Sequence, residues 1–169
     1  MLVSCTKKFS DALRISVFDA VPINREPLYQ WHANVFVYKR RKGVLLLNNK
    51  TRYPVVLYGL MAEHLQMFKN LLLFAIEVTF CAEGFSDFVV ARYIRRSGEV
   101  SFCKNNDRGI LSQMNYSQYH LEQWLENQLP INGIYMIELS KELSRLPMDN
   151  QLVENKLPIE LLWEELREV

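Results

Sequence analysis

The spacing of apolar and polar positions changes several times along this chain, and each change marks an element. "LVSCT" (2–6) is a short apolar run that predicts a strand, and "KKFSDALRI" (7–15) places Phe9, Leu13 and Ile15 on one helical face. Residues 16–30 hold two prolines and mixed polarity and read as a loop. From Trp31 the pattern becomes β. "WHANVFVYKR" is rich in aromatic and β-branched residues, "VLLL" is fully apolar, and Gly43 sits in the connection between them. "NNKT" is a second turn signal leading into "RYPVVLYG", so about three antiparallel strands form a meander over residues 31–59.

A helical period follows. "AEHLQMFKNLLLFAIEVTFCAEG" (62–84) is apolar almost all round, the mark of a covered central helix, or of two helices with Asn70 capping the second. "SDFVVARYIRRSG" opens on a capping serine and closes on Gly98, "EVSFC" (99–103) is one more strand, and "NDRGILSQMNYSQYHLEQWLENQ" is helical with room for a break near Asn115. In residues 131–147 "IYMIEL" is strand-like and "SKELSRL" reads as a capped helical turn. "MDNQLVENK" reads as a linker. The closing "LPIELLWEELREV" sets Ile159, Leu162, Trp163 and Leu166 at amphipathic helical spacing behind Pro158. Strands cluster instead of alternating with helices, so the expected class is α+β: a small antiparallel sheet with a basic hairpin, packed against a helical layer. The expected organisation is one domain over 1–147, then a linker and an acidic amphipathic helix over 148–169.

Composition narrows this little. The 169 residues are 49% hydrophobic and carry a net charge of +1, so no global field calls for nucleic acid or a membrane surface. Three widely spaced cysteines (Cys5, Cys81, Cys103) without a CxxC argue against a disulfide framework or zinc site and for a reducing, cytoplasmic setting. The start shows no secretory pattern, and "LLLFAI" is too short to cross a bilayer. No glycine-rich phosphate loop and no metal-ligand spacing is present, so neither a nucleotide cofactor nor a metal is expected. His64 and His120 stand alone on helices.

Local charge changes the picture. Residues 31–59 contain six basic residues (Lys39, Arg40, Arg41, Lys42, Lys50, Arg52) and no acidic one, and the acid-free zone extends from Pro27 to Ala62. With Arg41, Lys42 and Gly43 as the connection, Arg40 faces Val44 and Phe36 faces Asn48. His32, Asn34, Lys50, Thr51 and Arg52 then gather at one end of the hairpin, and Arg40, Arg41 and Lys42 at the other. The plain reading of the 39–42 run is a solvated tip that keeps a strand edge from aggregating. The functional reading is a β-ribbon that tracks phosphates, with Trp31 alongside and Tyr38 or Tyr53 stacking on bases. His32 is the only catalytic candidate: a histidine beside arginines and lysines can serve as base in metal-independent RNA cleavage. Its plain reading is a ring hydrogen-bonded to strand backbone or to Asn34. Cys5, before Lys7 and Lys8 at a helix start, is either a thiol of lowered pKa or a small buried hydrophobe. In "CKNNDRG", Asn106 or Asp107 is the expected helix cap, and Lys104 would extend the positive surface if its strand joins the hairpin's sheet. Residues 148–169 carry six acidic residues against two basic ones, which suits docking over the domain or helix-in-groove binding of a partner.

"CTKK", "WHAN", "RRK", "NNKTRYPVVLYGL" and "GEVSFCKNNDR" together resemble a family of small prokaryotic proteins of unknown function, over residues 1 to about 150. The resemblance implies an intracellular domain and no particular activity. Where that family has Asn-Asp before Lys-Thr, this chain has Asn48-Asn49, one carboxylate fewer. Three functional readings stand at this point. The first is a binding module that contacts nucleic acid or an acidic protein through the hairpin, in a mobile-element, defence or toxin–antitoxin setting. The second is a metal-independent ribonuclease-like enzyme with His32 as base and Arg40, Arg41, Lys50 or Arg52 on phosphate. The third is a structural or regulatory protein acting through its C-terminal helix.

Overall fold

The computed structural model describes residues 1–17, 25–105, 107–128, 133–147 and 156–169. Five strands, β1 (Leu2–Cys5), β2 (Gln30–Tyr38), β3 (Arg41–Asn48), β4 (Pro54–Leu60) and β5 (Ser101–Lys104), form one sheet in the order β4-β3-β2-β1-β5. The β2–β3–β4 meander is antiparallel, as its pattern predicts. β1 joins β2 and β5 in parallel, which makes the sheet mixed. Parallel neighbours need a crossover. Between β1 and β2 the crossover contains α1 (Lys7–Leu13), whose first turn is capped by Thr6 Oγ1, accepting from the Phe9 amide at 3.2 Å.

Both faces of the sheet are covered. One face carries Val3, Trp31, Val35, Leu46 and Leu57 against α1, α3 (Phe68–Ala82), α4 (Asp87–Ser97) and α7 (Pro158–Arg167). The other carries Phe36, Leu45, Leu47, Val56 and Tyr58 against α5 (Arg108–Gln128) and α6 (Ile137–Leu143). Two-sided burial is why β3 and β4 read as unbroken apolar runs.

The hairpin differs from its expected register. Its connection is the two residues Lys39 and Arg40, with Tyr38 opposite Arg41. Both turn residues hold positive φ (41° and 65°), as a type I′ turn that matches strand twist requires. Gly43 is not in the connection. It lies within β3 opposite Phe36, where an added Cβ would stand 2.2 Å from the Phe36 ring. The glycine serves a close approach, not a turn, and reading it as a turn signal shifts the pairing. His32 consequently faces Leu47, and Trp31 faces Asn48.

Other boundaries move less. The 62–84 segment is two helices, α2 (Ala62–Gln66) and α3, jointed at Met67 and not at Asn70. α5 runs through Asn115 without a break. In the strand-like "IYMIEL" only Tyr135 makes a bridge, to Leu57 at the β4 edge, and α6 begins at Ile137. The turn to helix is fixed by Ser140, whose hydroxyl donates to the Met136 carbonyl at 2.8 Å and accepts from the Val56 amide at 3.0 Å. Asn106 and all but the last residue of the expected linker lie outside the described residues.

α7 docks on its own domain. Ile159, Leu162, Leu166 and Val169 are buried in the same core as Phe80 and Phe85, and the Trp163 ring centroid lies 4.0 Å from that of Phe85. At about 1.5–3 kcal/mol per buried large apolar side chain, these residues contribute an amount comparable to the whole stability of a domain this size. The helix's apolar stripe is therefore occupied.

Candidate anion-binding site at the hairpin tip

The type I′ turn decides which side chains stand free. Lys39, Arg40, Arg41 and Lys42 are all exposed, but they are not equivalent. Lys39 pairs with Glu126 of α5 at 2.9 Å, and Tyr38 donates its hydroxyl to the same carboxylate. Hydrogen bonds from Tyr38 and Lys39 hold the Glu126 carboxyl below its usual range. Arg40, Arg41 and Lys42 have no acidic partner within salt-bridge distance among the described residues. They face a concavity of about 780 Å³ beside the opposite sheet face from α5.

A fourth cation completes this concavity. Arg14 is the C-cap of α1, in the left-handed conformation (φ 52°), with its amide donating to the Asp11 and Ser10 carbonyls. It too has no acidic partner among the described residues. The rest of the lining is Gly59, Leu60, Met61, Ala62, Leu65 and Gln66 from the end of β4 and α2, with Ala12 and Leu13 of α1. Among the described residues, no acidic and no aromatic side chain lines it. Sequence reading misses Arg14 because it stands far upstream, and only the β1–α1–β2 crossover brings α1's end level with the hairpin tip.

The opposite end of the hairpin is built differently. Asn48 is fully buried. Its Oδ1 accepts from the amides of Lys50 and Thr51 and from the Thr51 hydroxyl, and its Nδ2 donates to the Leu28 carbonyl at 2.8 Å. Thr51, with no exposed surface, accepts from the Tyr53 amide. His32 and Arg52 are only 5% and 6% exposed. The His32 Nε2 lies 3.0 Å from Asn49 Oδ1, and the Arg52 guanidinium donates to the Asn49 carbonyl. Burial pushes the His32 pKa down, and Arg52 pushes the same way, against the raising effect of Asn49. Lys50 is exposed and bridges to Glu165 of α7 at 3.3 Å. Asn34 accepts from the Thr6 hydroxyl at 2.9 Å and stands nearer the middle of β2.

The aromatic candidates are spoken for. Trp31 is fully buried and donates its indole N–H to the Tyr93 hydroxyl at 3.0 Å. Tyr53 is fully buried and donates to Glu83 at 2.7 Å, so it offers no face for base stacking. Burial raises the Glu83 carboxyl, but hydrogen bonds from Arg145 and Tyr53 outweigh it and leave the pKa below the usual range. Tyr38 turns toward Glu126, away from the concavity. Cys5 is buried, and burial raises its thiol pKa, so the lysine-activated alternative does not hold. Lys104 ends β5, two strands from the hairpin at the far edge of the sheet. His64 caps α2 by accepting from the Met61 amide.

His32, opposite Leu47, and Arg41 thus stand six residues apart along the hairpin, about 20 Å by strand rise. A base at His32 with Arg40 or Arg41 on phosphate does not assemble. What does assemble is a basic concavity with an apolar floor, suited to holding an anionic group by charge and guanidinium hydrogen bonds.

The chain belongs to a family defined as a domain of unknown function (DUF6933), whose model matches residues 2–161. The match continues into α7, beyond the limit of about residue 150 that the motifs mark. No curated protein matches the chain. Among the described residues no helix is long and apolar enough to cross a membrane, and no group of three or more acidic, histidine or cysteine side chains could hold a metal.

Proposed function

We propose that this member of the family is a binding module, with the concavity at the β2–β3 tip as its contact surface. Its partner is polyanionic: a nucleic acid backbone or an acidic protein. One observation carries this reading. Arg14, Arg40, Arg41 and Lys42, from two separate segments, surround a single depression that no acidic side chain among the described residues lines. A solvated turn needs charge to stay soluble but has no need of a cation on a distant helix cap aimed at the same space. The three free cysteines, two of them buried, support a reducing compartment such as the cytoplasm as its setting.

The test is binding of fluorescent single-stranded RNA, duplex DNA and polyglutamate to the wild type and to the Arg40→Ala/Arg41→Ala/Lys42→Ala variant. With four charge contacts on a single strand, affinity should fall about fifty-fold between roughly 50 and 200 mM salt, and it should be largely lost in the variant. Binding indifferent to the three substitutions would remove the concavity from the function.

A further inference from the structure

The lining of the concavity contains a second kind of surface that cations alone do not explain. Its floor is aliphatic: Leu60, Met61 and Leu65 are among the lining residues. Leu65 and Gln66 also line an adjoining depression of about 350 Å³, with Ile15, Met67, Phe68, Lys69, Asn70 and Phe102. The two depressions therefore adjoin at Leu65 and Gln66 and together border α2 as a groove. The groove carries four cations at the hairpin end and Lys69 at the other. Lys69 has a 3.9 Å contact to Glu99, itself highly exposed, and its ammonium lies 6.0 Å from the centroid of the Phe102 ring.

The two methionines that bracket α2 are both exposed, Met61 by 58% and Met67 by 64%. Long, unbranched thioether side chains left in water beside a groove can repack around varied apolar groups. Among the described residues, the two rings that line the second depression, Phe68 and Phe102, are only 3% and 6% exposed and offer little face for stacking on bases. The well-exposed aromatic residues, Phe74, Phe88, Tyr116 and Tyr119, line neither. Strong single-strand binding depends on such rings.

We infer that the groove along α2 takes an acidic peptide segment of a protein partner. Aliphatic side chains of that segment seat on Met61, Leu65 and Met67, and its carboxylates meet Arg14, Arg40, Arg41, Lys42 and Lys69. This deepens the polyanion-binding reading and rests on it. Charge complementarity chooses an acidic occupant, and an exposed aliphatic surface whose two aromatic rings are buried chooses a peptide over a nucleic acid.

The test compares three fluorescent probes on the full chain: a peptide alternating glutamate pairs with leucine pairs, a polyglutamate of equal length, and oligouridylate. Two variants accompany the wild type, the tip triple alanine and Met61→Ser/Met67→Ser. Both methionines are exposed, so the second variant should fold normally, checked by its urea midpoint. The expected result is that the leucine-bearing peptide binds at least about tenfold tighter than polyglutamate, the equivalent of about 1.4 kcal/mol. That advantage should disappear in the methionine variant, and all binding should weaken in the tip variant. If oligouridylate binds tightest and ignores the methionine change, the peptide inference fails while the polyanion reading stands. If no probe binds at low salt, or binding ignores the tip variant, both fail.

Discussion

The β2–β3 hairpin carries basic residues at both ends, and the fold uses them in opposite ways. At the Asn48–Tyr53 end Arg52 is buried, donating to the Asn49 carbonyl, while Asn48 satisfies a whole turn and Lys50 leans on α7. At the Lys39–Arg40 end three cations stand in water beside a fourth from α1, and among the described residues only Lys39 is neutralised by a neighbour. Sequence counts these charges alike. Burial separates them: buried polar groups are costly unless bonded and so report on architecture, whereas exposed unpaired cations contribute little to folding and remain available to a partner.

This comparison can be broken most severely at the structural end. A chain ending at Asn155 removes Ile159, Leu162, Leu166 and Val169 from the core and the Glu165 support under Lys50. It should lose cooperative urea unfolding altogether, since roughly 6–12 kcal/mol of apolar burial goes with them. A truncated chain that still unfolds cooperatively would make α7 an appendage. Next in size, Asn48→Ala strands buried backbone groups and should cost about 3 kcal/mol in denaturant stability. By contrast, the tip triple alanine should leave stability within about 0.5 kcal/mol of wild type. Equal losses in these two variants would erase the distinction between the ends.

A smaller effect is tied to pH. The His32 pKa is lowered in the fold, so the folded state resists the proton that the unfolded chain accepts near its ordinary value of 6.5. The stability contributed by neutral His32 is fully present above pH 6.5 and is lost as pH falls from there toward the folded pKa. His32→Gln keeps a polar group beside Asn49 but does not titrate, so it should flatten the stability profile below pH 6.5. An unchanged slope would mean that His32 is not the buried group described here. A further expected effect is a gain. Arg40 sits at φ 65°, and Arg40→Gly should raise stability by up to about 1 kcal/mol by relieving the left-handed strain. The same substitution should weaken polyanion binding, a trade of stability for contact.

Much of the fold was legible because burial imposes periodicity. The meander, the Ser86 and Gly98 helix ends and the amphipathic α7 all follow from side-chain spacing. Legibility failed where a residue serves a contact distant in sequence. Gly43 answers to the Phe36 ring, and Tyr135 to the β4 edge. The site was half legible. The Arg40–Lys42 run announced itself, but Arg14 and the α2 floor meet it only through the crossover. Trp31, Thr51 and Tyr53, next to the same charges in sequence, belong to the core.

The most direct test of the two-ended account is a titration of the isotope-labelled chain with polyphosphate, followed by amide chemical shifts. The account predicts movement at Arg14, Arg40, Arg41, Lys42 and Gly59, with Asn49, Arg52 and His32 unmoved. Shifts concentrated at His32 and Arg52, with the tip silent, would contradict it and move the site to the other end of the hairpin.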